Sequence, residues 1–455
     1  MLSPSHALCR LALIVAACLG FGAQAADDRE SLFGDDLPPM KNKADIEVEG
    51  KTESSAPGIR GFLQFELART TASTEHWSKM RTRADLSSQG RLNDSVKWKL
   101  GVRMDYDAVY DVDNFYPQAV RNNQRAAFEF RENYLDISAG GWDFRLGRQH
   151  VVWGEMVGLF FADVVSARDL REFILPEFDQ MRTPQWAARA EYFGDDIHGE
   201  LLWIPVASYD NIGKPGADFY PYQPVPPGFT VRYLSEDRPS RNLGNMNYGA
   251  RLSMLKNGWD ISGFYYRSTD INATFYRAPV TGPEIVWQAR HDRIHQVGST
   301  LSKDFGDVVL KAEGVYTKGR SFTLLNLTDP DGVARQNTLD WAAGLDFTLT
   351  GDTRLNLQFF QRRFFNYHSD LISDRNENGY SILINSKLFS NWEAQALFIA
   401  SANRNDWLFR PRLTWNFERN WRWLIGADIF KGPELGMFGR YDNQDRVYSE
   451  IRYSF

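Results

Sequence analysis

The sequence predicts an all-β fold, a transmembrane antiparallel β-barrel of about 16 to 18 strands with an inward-folded loop that carries a short helix. The N-terminus has the pattern of an export signal, and long stretches alternate apolar with polar residues. After residue 25, no apolar run approaches the roughly 18 residues that a spanning helix needs. The chain is also rich in aromatic residues, with 14 Trp, 19 Tyr and 31 Phe in 455 residues.

Residues 1–25 form the predicted signal peptide. Residues 11–21 are apolar, and Ala23-Gln24-Ala25 has the small residues that precede a cleavage site. The alternative is a lipoprotein signal that ends at Cys18, which small residues precede. The apolar stretch would then be very short, so we favour the cleaved signal peptide.

The mature chain is expected to lack cysteine and to be mildly acidic. Both cysteines, Cys9 and Cys18, lie in the signal peptide, which also contains one basic residue, Arg10, and no acidic residue. The 52 basic residues thus fall to 51, against 58 acidic residues, for a net charge of −7. A nucleic-acid-binding protein needs a basic excess, so this class is excluded.

Residues 26–57 are acidic, contain proline and do not alternate, so we expect a flexible periplasmic N-terminal arm. Within this arm, residues 31–37 place a small apolar cluster between acidic residues. This cluster could dock on a periplasmic or inner-membrane pump partner. We favour the other interpretation, a disordered leader that clears the assembly machinery.

Residues 58–455 form the predicted outer-membrane barrel. Barrel strands need about 9 to 11 residues that alternate lipid-facing apolar with lumen-facing polar side chains. The clearest example runs from Trp407 to Phe417, with Arg410 and Arg412 on its polar face. The same rhythm predicts strands at about 58–69, 76–90, 95–108, 126–139, 142–152, 183–194, 196–206, 245–256, 258–269, 290–304, 306–318, 336–349, 353–367, 378–389, 391–402, 405–417, 420–430 and 445–455.

Short connections alternate with long ones along these strands. The short connections are rich in Gly, Asn and Asp, which favour tight hairpins, and lie at 91–94, 140–141, 194–195, 257–258, 305–306, 351–352, 390–391 and 418–420. Trp142, Trp259, Trp392 and Trp421 start strands beside such turns, where an aromatic girdle would lie. An even strand number, with both barrel ends on the short-turn side, follows from this pattern.

The last strand ends in Phe455, on the same face as Val447, Ile451 and Tyr453. A terminal Phe of this kind resembles the signal by which the barrel-assembly machinery recognises its substrates. The expected location is therefore the cell outer membrane, with its lipid and lipopolysaccharide as surroundings.

The segment after the fifth predicted strand breaks the β pattern. Ser166 and Asp169 have the spacing of a capping box, and Leu170, Phe173 and Ile174 recur at helical spacing. We therefore expect a short amphipathic helix at this point.

Such a helix would be costly in open water, whereas folding back into the barrel would bury Leu159, Phe160, Phe161 and Phe173. We therefore expect loop 153–182 to constrict the lumen. An external lid or a partner surface is the alternative.

The same segment resembles a known family. The matching residues are Gly147-Arg148-Gln149, Trp153-Gly154-Glu155, Asp163-Val164-Val165-Ser166 and Arg168-Asp169-Leu170. They resemble a proteobacterial outer-membrane family called domain of unknown function 1302, although Ala167 stands where a proline is usual. The resemblance implies a porin-like barrel, and some members are encoded beside membrane pumps that export hydrophobic compounds.

The candidate constriction and lumen residues are Arg148, Trp153, Glu155, Asp163, Arg168, Asp169, Arg171, Arg410, Arg412 and Arg422. Rings of arginine and lysine favour anions. We therefore expect a porin-like channel for small, anionic or amphipathic organic solutes. As an alternative, the arginines pair with acidic residues and hold the strands in register. A different class of function is a non-conducting docking component of a lipid or hydrophobe export complex.

One loop has a calcium-like pattern. Asp374, Asn376 and Asn378 place oxygen ligands at alternate positions before Gly379, but Asn385 stands where the bidentate Glu is needed. A polar hairpin loop is the alternative, and no other cofactor is indicated.

No enzyme is expected. The sequence contains no nucleophile elbow and no phosphate loop. His291 and His295 have the spacing of a zinc helix, but on a strand they would lie about 13 Å apart, too far to share one metal.

Overall fold

The computed structural model describes residues 58–154, 156 and 162–455. The predicted signal peptide, the N-terminal arm and the site residue Glu155 lie outside the described residues, as do Leu159, Phe160 and Phe161. Within the described part of the chain, no helix is long and apolar enough to cross a membrane.

Eighteen antiparallel strands form one closed sheet, because the first strand pairs both with the second and with the last. Closure leaves no strand edge unpaired, as a barrel surrounded by lipid requires. In chain order the barrel strands β1 to β18 are Ile59–Thr70, Trp77–Asn93, Val96–Asp107, Ala126–Ala139, Trp142–Gln149, Gln185–Phe193, Ile197–Val206, Asn247–Lys256, Trp259–Thr269, Arg293–Asp304, Val308–Thr323, Val333–Leu349, Thr353–Phe365, Asn376–Phe389, Trp392–Ser401, Trp407–Glu418, Trp421–Lys431 and Arg446–Ser454.

Each predicted strand overlaps one of these eighteen, and the differences lie at the ends. Strands β11 and β12 continue past the predicted limits to Thr323 and back to Val333. The register between them shifts after Thr317, where Gly319 takes a φ of +88°. A bulge interrupts the alternation of side chains but lets the strand continue beyond it. A prediction based on alternation alone therefore ends the strand too early.

Eight short turns join the strands at one end of the barrel, and longer loops join them at the other. The longer loops contain all the helical turns of the described chain: Val109–Val112, Gln118–Gln124, Phe178–Met181, Leu243–Asn245 and Gly439–Gln444. They also contain a small sheet of Thr230–Tyr233, Glu284–Arg290 and Thr274–Arg277. This end is therefore the more elaborate, external end of the barrel.

The strands expose apolar residues outward and bury polar residues inward. In β3, Leu100 and Met104 are 55 % and 42 % exposed, whereas Arg103 between them is 4 % exposed. Repeated on neighbouring strands, this pattern makes an apolar belt far larger than a water-soluble surface carries. The belt is the surface that a membrane barrel presents to lipid.

Aromatic rings line the short-turn rim, as the sequence predicts. Trp142 contacts Tyr192 with ring centres 5.3 Å apart, and Trp392 stacks on Trp415 at the same distance. Trp421 lies 4.8 Å from Tyr453 near the strand that closes the barrel. These rings form an interfacial girdle, because their amphipathic edges suit the boundary between lipid and water.

Candidate functional site: the inward loop

The segment 150–184, between β5 and β6, is called here the inward loop, and its described residues, 150–154, 156 and 162–184, fold into the barrel. Its two arms are joined by a short antiparallel pair, Ala167–Arg168 with Arg182–Thr183. A buried ion pair reinforces the junction, because Arg182 Nε lies 2.9 Å from Asp163 Oδ2. The loop is therefore an ordered insert with its own base.

The first arm packs against the wall formed by β6 to β11. Trp153 is fully buried, with ring centres 5.1 Å from Phe264 and 5.6 Å from Tyr266. Its indole Nε1 donates a 3.1 Å hydrogen bond to Glu200, and the backbone N–H of Ala162 donates to Glu313 at 3.2 Å. The arm is thus anchored both by apolar burial and by two carboxylates of the wall.

The tip of the loop packs against the opposite wall. Phe173, Ile174 and Leu175 join an apolar cluster that includes Leu408 of β16 and Phe430 of β17. The two walls are centred on β8 and β17, which are nine strands apart in a ring of eighteen. The inward loop therefore crosses the whole lumen.

Phe173 adopts a conformation that side chains rarely take, with a φ of +55°. Its ring lies 4.9 Å from the ring of Tyr441 and 6.1 Å from that of Phe438. The backbone cost at a bulky residue is of order 1–3 kcal/mol, and it persists only where surrounding contacts fix the chain. Here those contacts are the aromatic rings of the external loop between β17 and β18.

Arginines of the wall hold the tip through its backbone carbonyls. Arg410 Nη2 donates to the oxygen of Leu175 at 2.6 Å, and Arg412 Nη2 reaches the same oxygen at 3.4 Å. Arg103 Nη1 donates to the oxygen of Gln180 at 2.8 Å. Carbonyls accept these bonds without neutralising a guanidinium charge. Arg410 and Arg103 also pair with Asp428 and Asp85, respectively. Arg412 makes no ion pair with a described carboxylate, so its positive charge remains beside the loop.

Carboxylates of the tip bind clustered cations. Glu172 forms ion pairs with Lys79, with Arg81 at 2.7 Å and with Arg446 at 3.3 Å. Burial raises the pKa of Glu172, but Arg81, Lys79 and Arg446 outweigh it and hold the pKa well below its ordinary value. The lowered pKa favours the ionised form of Glu172, which is shared by the three cations.

Glu177, five residues after Glu172, is a second carboxylate that contacts arginines of the wall. It lies 3.6 Å from Arg422 and 3.7 Å from Arg452, and both guanidinium groups also contact Glu450. Burial raises the pKa of Glu177, but Arg422 and the other arginines outweigh burial, so the pKa is lowered. The site residue Arg422 is therefore part of a charge network that fixes the loop.

The outer face of the loop is tied to the external loops. Arg168 Nη2 binds Asp210 at 2.8 Å and Asn272 at 2.9 Å. Arg171 pairs with Asp169 at 2.5 Å and donates to the backbone oxygen of Asn123 at 3.2 Å. Burial raises the pKa of Asp169, but Arg171 beside it outweighs burial, so the pKa is lowered.

The helix predicted after Ser166 is wrong in position. The Ser166 hydroxyl donates to the oxygen of Val151, not to the N-terminus of a helix. The N–H of Asp169 donates to Met181 and that of Leu170 to Asn211, so distant carbonyls satisfy this backbone. A helix of four residues forms instead at Phe178–Met181, which keeps a short helix in the inward loop.

The predicted site residues divide into three groups. The structure brings together Trp153, Asp163, Arg168, Asp169, Arg171, Arg410, Arg412 and Arg422 in or beside the inward loop. Arg148, near the end of β5, pairs with Asn133 and Trp186 in the sheet, and its side chain makes no hydrogen bond or ion pair with another described residue. Glu155 lies outside the described residues.

Sequence reasoning missed several anchoring residues, namely Lys79, Arg131, Glu172, Glu177 and Asp210. Arg131 donates to the oxygens of Asp179 and Arg182 at 2.7 and 2.9 Å. The acidic residues of the loop tip were the available signal, because a carboxylate inside a basic lumen needs a cation beside it.

The calcium pattern lies at the start of β14. Asp374 Oδ2 accepts from Arg404 at 2.8 Å and from Asn403 at 3.1 Å, and Asn378 accepts from Gln361 at 2.6 Å. In the part of the chain that the structure describes, no group of three or more His, Cys, Asp or Glu residues could hold a metal ion. Calcium binding by Asp374, Asn376 and Asn378 stays a prediction.

A closed 18-stranded barrel whose lumen is crossed by a loop after the fifth strand belongs to the class of porin-like outer-membrane β-barrels. Within that class, the chain belongs to the family described as protein of unknown function (DUF1302), whose model matches residues 40–370. The family resemblance seen in the sequence is thus confirmed.

Two solved structures show the same fold. Pseudomonas aeruginosa OccK8 (OprE) has a TM-score of 0.51 and 10 % identity, over 88 % of this chain and 98 % of its own. Acinetobacter baumannii OccAB4 has a TM-score of 0.50 and 10 % identity, over 89 % of this chain and 99 % of its own. No curated protein matches the sequence. At these identities the likeness concerns the fold alone.

Proposed function

We propose that the protein is a channel of the bacterial outer membrane for small solutes, and that the inward loop sets which solutes pass. One observation carries the proposal, namely that the loop bridges opposite walls of the barrel, from Trp153 to Arg410. A solute that crosses the barrel must pass beside this bridge. No catalytic step is part of the proposal.

The charges beside the loop support an anionic solute. The cluster of ion pairs and hydrogen bonds at the tip contains seven cations and five carboxylates: Lys79, Arg81, Arg410, Arg412, Arg422, Arg446 and Arg452, with Glu66, Glu172, Glu177, Asp428 and Glu450. The cluster therefore has two more positive than negative charges, and a positive constriction favours anions. We infer that small anionic organic solutes pass most readily.

The test is single-channel conductance of the purified protein in planar bilayers, beside a variant with a shortened loop. Arg168 and Arg182 are direct cross-strand partners, so Asn-Gly in place of residues 169–181 would close the hairpin with a two-residue turn. The shortened loop keeps the Trp153 anchor and removes the bridge. We expect a several-fold larger conductance, and equal conductance of both proteins would contradict a constriction by this loop.

Ion selectivity tests the solute class. The guanidinium of Arg412 makes no ion pair with a described carboxylate and donates to Tyr448 and to Leu175. Arg412→Gln should therefore lower the anion preference, measured as the reversal potential in a salt gradient. The matched control is Arg419→Gln, which removes one exposed charge at a short turn. An equal reversal potential in all three proteins would argue against anion selection at the loop.

A second function, a non-conducting docking component of an export complex, is favoured by the density of buried contacts that fix the loop. A loop held by Glu172 and Glu177 to five cations could serve as a permanent plug. The conductance measurement separates the two functions. Absence of channels in both the native protein and the shortened-loop variant would favour docking.

A further inference from the structure

Three basic residues lie side by side on the outer surface of the barrel, near its external rim. Arg267 of β9 is the cross-strand partner of His295 in β10, and His295 is the partner of Lys318 in β11. Direct partners in antiparallel strands have Cβ atoms about 5 Å apart. The three side chains therefore form one row, which we call the rim patch.

Strand alternation shows that the rim patch faces outward. The residues next to it in sequence, Tyr266, Ile294 and Thr317, are at most 1 % exposed and face the interior. One step towards the membrane, the outward residues are Tyr265, Val297 and Tyr316, which are 39 %, 56 % and 37 % exposed. The rim patch thus sits directly above the apolar belt.

The rim patch differs from the lumen in lacking carboxylate partners. The guanidinium of Arg267 lies over the Tyr248 ring at 5.4 Å, and His295 Nδ1 meets the Tyr265 hydroxyl at 2.8 Å. Among the residues that the structure describes, none forms an ion pair with Arg267, His295 or Lys318.

Further outward cations extend the rim patch. Arg293 of β10 donates to the backbone oxygens of Gly244 and Met246, which leave its charge uncompensated. Arg363 of β13 is exposed and lies over the Phe365 ring at 5.7 Å. Arg363 is separated from Lys318 by β12 and lies in the register row of Tyr316, so it is a flanking charge on β13.

Arg267 and Lys318 lie on either side of His295 in this row and have no carboxylate partner among the described residues, so an anion bound there would satisfy both charges. We propose that the rim patch binds the phosphate groups of an anionic glycolipid in the outer leaflet, while its acyl chains lie on the apolar belt below. Each Lys or Arg near a membrane surface adds to the attraction of anionic lipid. The proposal does not depend on whether the barrel conducts.

The position of the rim patch favours a lipid over other occupants. A free phosphate would meet the cations but would gain nothing from Tyr265, Val297 and Tyr316 beneath them. A second copy of this chain in a symmetric contact would bring the same cations face to face, which costs energy. A phosphorylated lipid satisfies both the charged row and the apolar residues.

The test measures lipid binding by native mass spectrometry of the full-length, detergent-purified protein. The probes are bisphosphorylated lipid A, dephosphorylated lipid A and inorganic phosphate. The variant carries Arg267→Gln, Lys318→Gln and Arg363→Gln. The control carries Lys256→Gln, Lys303→Gln and Lys387→Gln, which removes equal charge at the short-turn rim. Circular dichroism shows whether each variant has folded.

We expect bisphosphorylated lipid A to bind the native protein and the control equally, and the rim variant at least about tenfold more weakly. Dephosphorylated lipid A should bind all three alike and weakly. Equal binding of both lipids by the native protein would overturn the proposal. Unchanged binding of bisphosphorylated lipid A by a folded rim variant would also overturn it. So would binding of inorganic phosphate equal to that of bisphosphorylated lipid A, or an oligomer that forms without lipid and is lost only in the rim variant.

Discussion

Arg410 on strand β16 donates a 2.6 Å hydrogen bond to the carbonyl oxygen of Leu175, which lies 235 residues earlier in the chain. The same guanidinium pairs with Asp428 on β17 through Nε at 2.7 Å. One buried side chain therefore joins two strands and the tip of the inward loop. Such a bond fixes the loop because an unpaired carbonyl or guanidinium in this interior would be costly.

Arg410→Gln should loosen the tip of the inward loop. The shorter amide cannot reach both Leu175 and Asp428, and loss of a charged hydrogen bond costs about 1.5–3 kcal/mol. We expect a lower free energy of unfolding in guanidinium chloride and larger current fluctuations in bilayers. Arg419→Gln, at an exposed turn, is the matched control. If Arg410→Gln showed the current fluctuations and the free energy of unfolding of the native protein, Arg410 would not hold the loop.

Glu172→Gln should also weaken the attachment of the loop tip to the barrel wall, here by changing a residue of the loop. The change leaves Lys79, Arg81 and Arg446 without their shared carboxylate, so repulsion should push the tip away and make the lumen more positive. Conductance and anion preference should both increase. Glu393→Gln, on β15 near the short turns, is the control, and an unchanged conductance would count against the anchor.

The same carboxylate predicts how the anchor depends on pH. The pKa of Glu172 is lowered in the folded chain, so its contribution is complete above the pKa of the unfolded chain, about 4.3. It is lost only as pH falls through the still lower folded value. Native conductance should therefore be equal at pH 7 and pH 5. Below pH 5, the conductance of Glu172→Gln should change less with pH than the conductance of the native protein.

Eighteen strands could be predicted because each alternates lipid-facing apolar residues with lumen-facing polar residues. This alternation is visible within each short stretch of sequence. Hairpin residues such as Gly140-Gly141 and Asn257-Gly258 mark the turns in the same local way, and all four residues take a positive φ of 54° to 82°. The limits of β11 and β12 could not be predicted, because the bulge at Gly319 depends on pairing across the sheet.

The inward loop was predictable as a segment but not in its contacts. The spacing of Leu170, Phe173 and Ile174 is helical, yet the N–H groups of Asp169 and Leu170 donate to distant carbonyls. Phe173 is partly buried against aromatic rings in a left-handed conformation. Which arginine meets Glu172 depends on how β2 and β18 lie across the lumen. No local pattern contains that information.

Trp153→Phe should isolate the polar part of the first anchor. Phenylalanine retains most of the apolar packing but cannot donate to Glu200, which is 4 % exposed. A buried acceptor left without its donor costs about 1–3 kcal/mol. We expect a fall of this size in the free energy of unfolding in guanidinium chloride. The control Trp142→Phe, on the exposed rim, should change it much less, and equal losses would assign the effect to ring size.

The external loops meet at His76. Its ring stacks on Phe115 at 3.8 Å, and its Nε2 lies 3.0 Å from Asp218 Oδ1. The hydroxyl of Tyr116 donates to the other oxygen of Asp218 at 2.8 Å. Burial lowers the pKa of His76, but the hydrogen bond and charge of Asp218 outweigh burial, so the pKa is raised. Three external loops are thus joined by one titratable contact.

The raised pKa of His76 predicts looser external loops at alkaline pH. Its contribution is complete below the unfolded pKa of about 6.5 and is lost as pH rises through the higher folded value. Amide hydrogen exchange of residues 108–125 and 207–246, corrected for the intrinsic pH dependence, should show less protection at pH 8.5 than at pH 6. His76→Gln should remove this difference, whereas His368→Gln, in another loop, should retain it. A pH response that survives in His76→Gln would place the titrating group elsewhere.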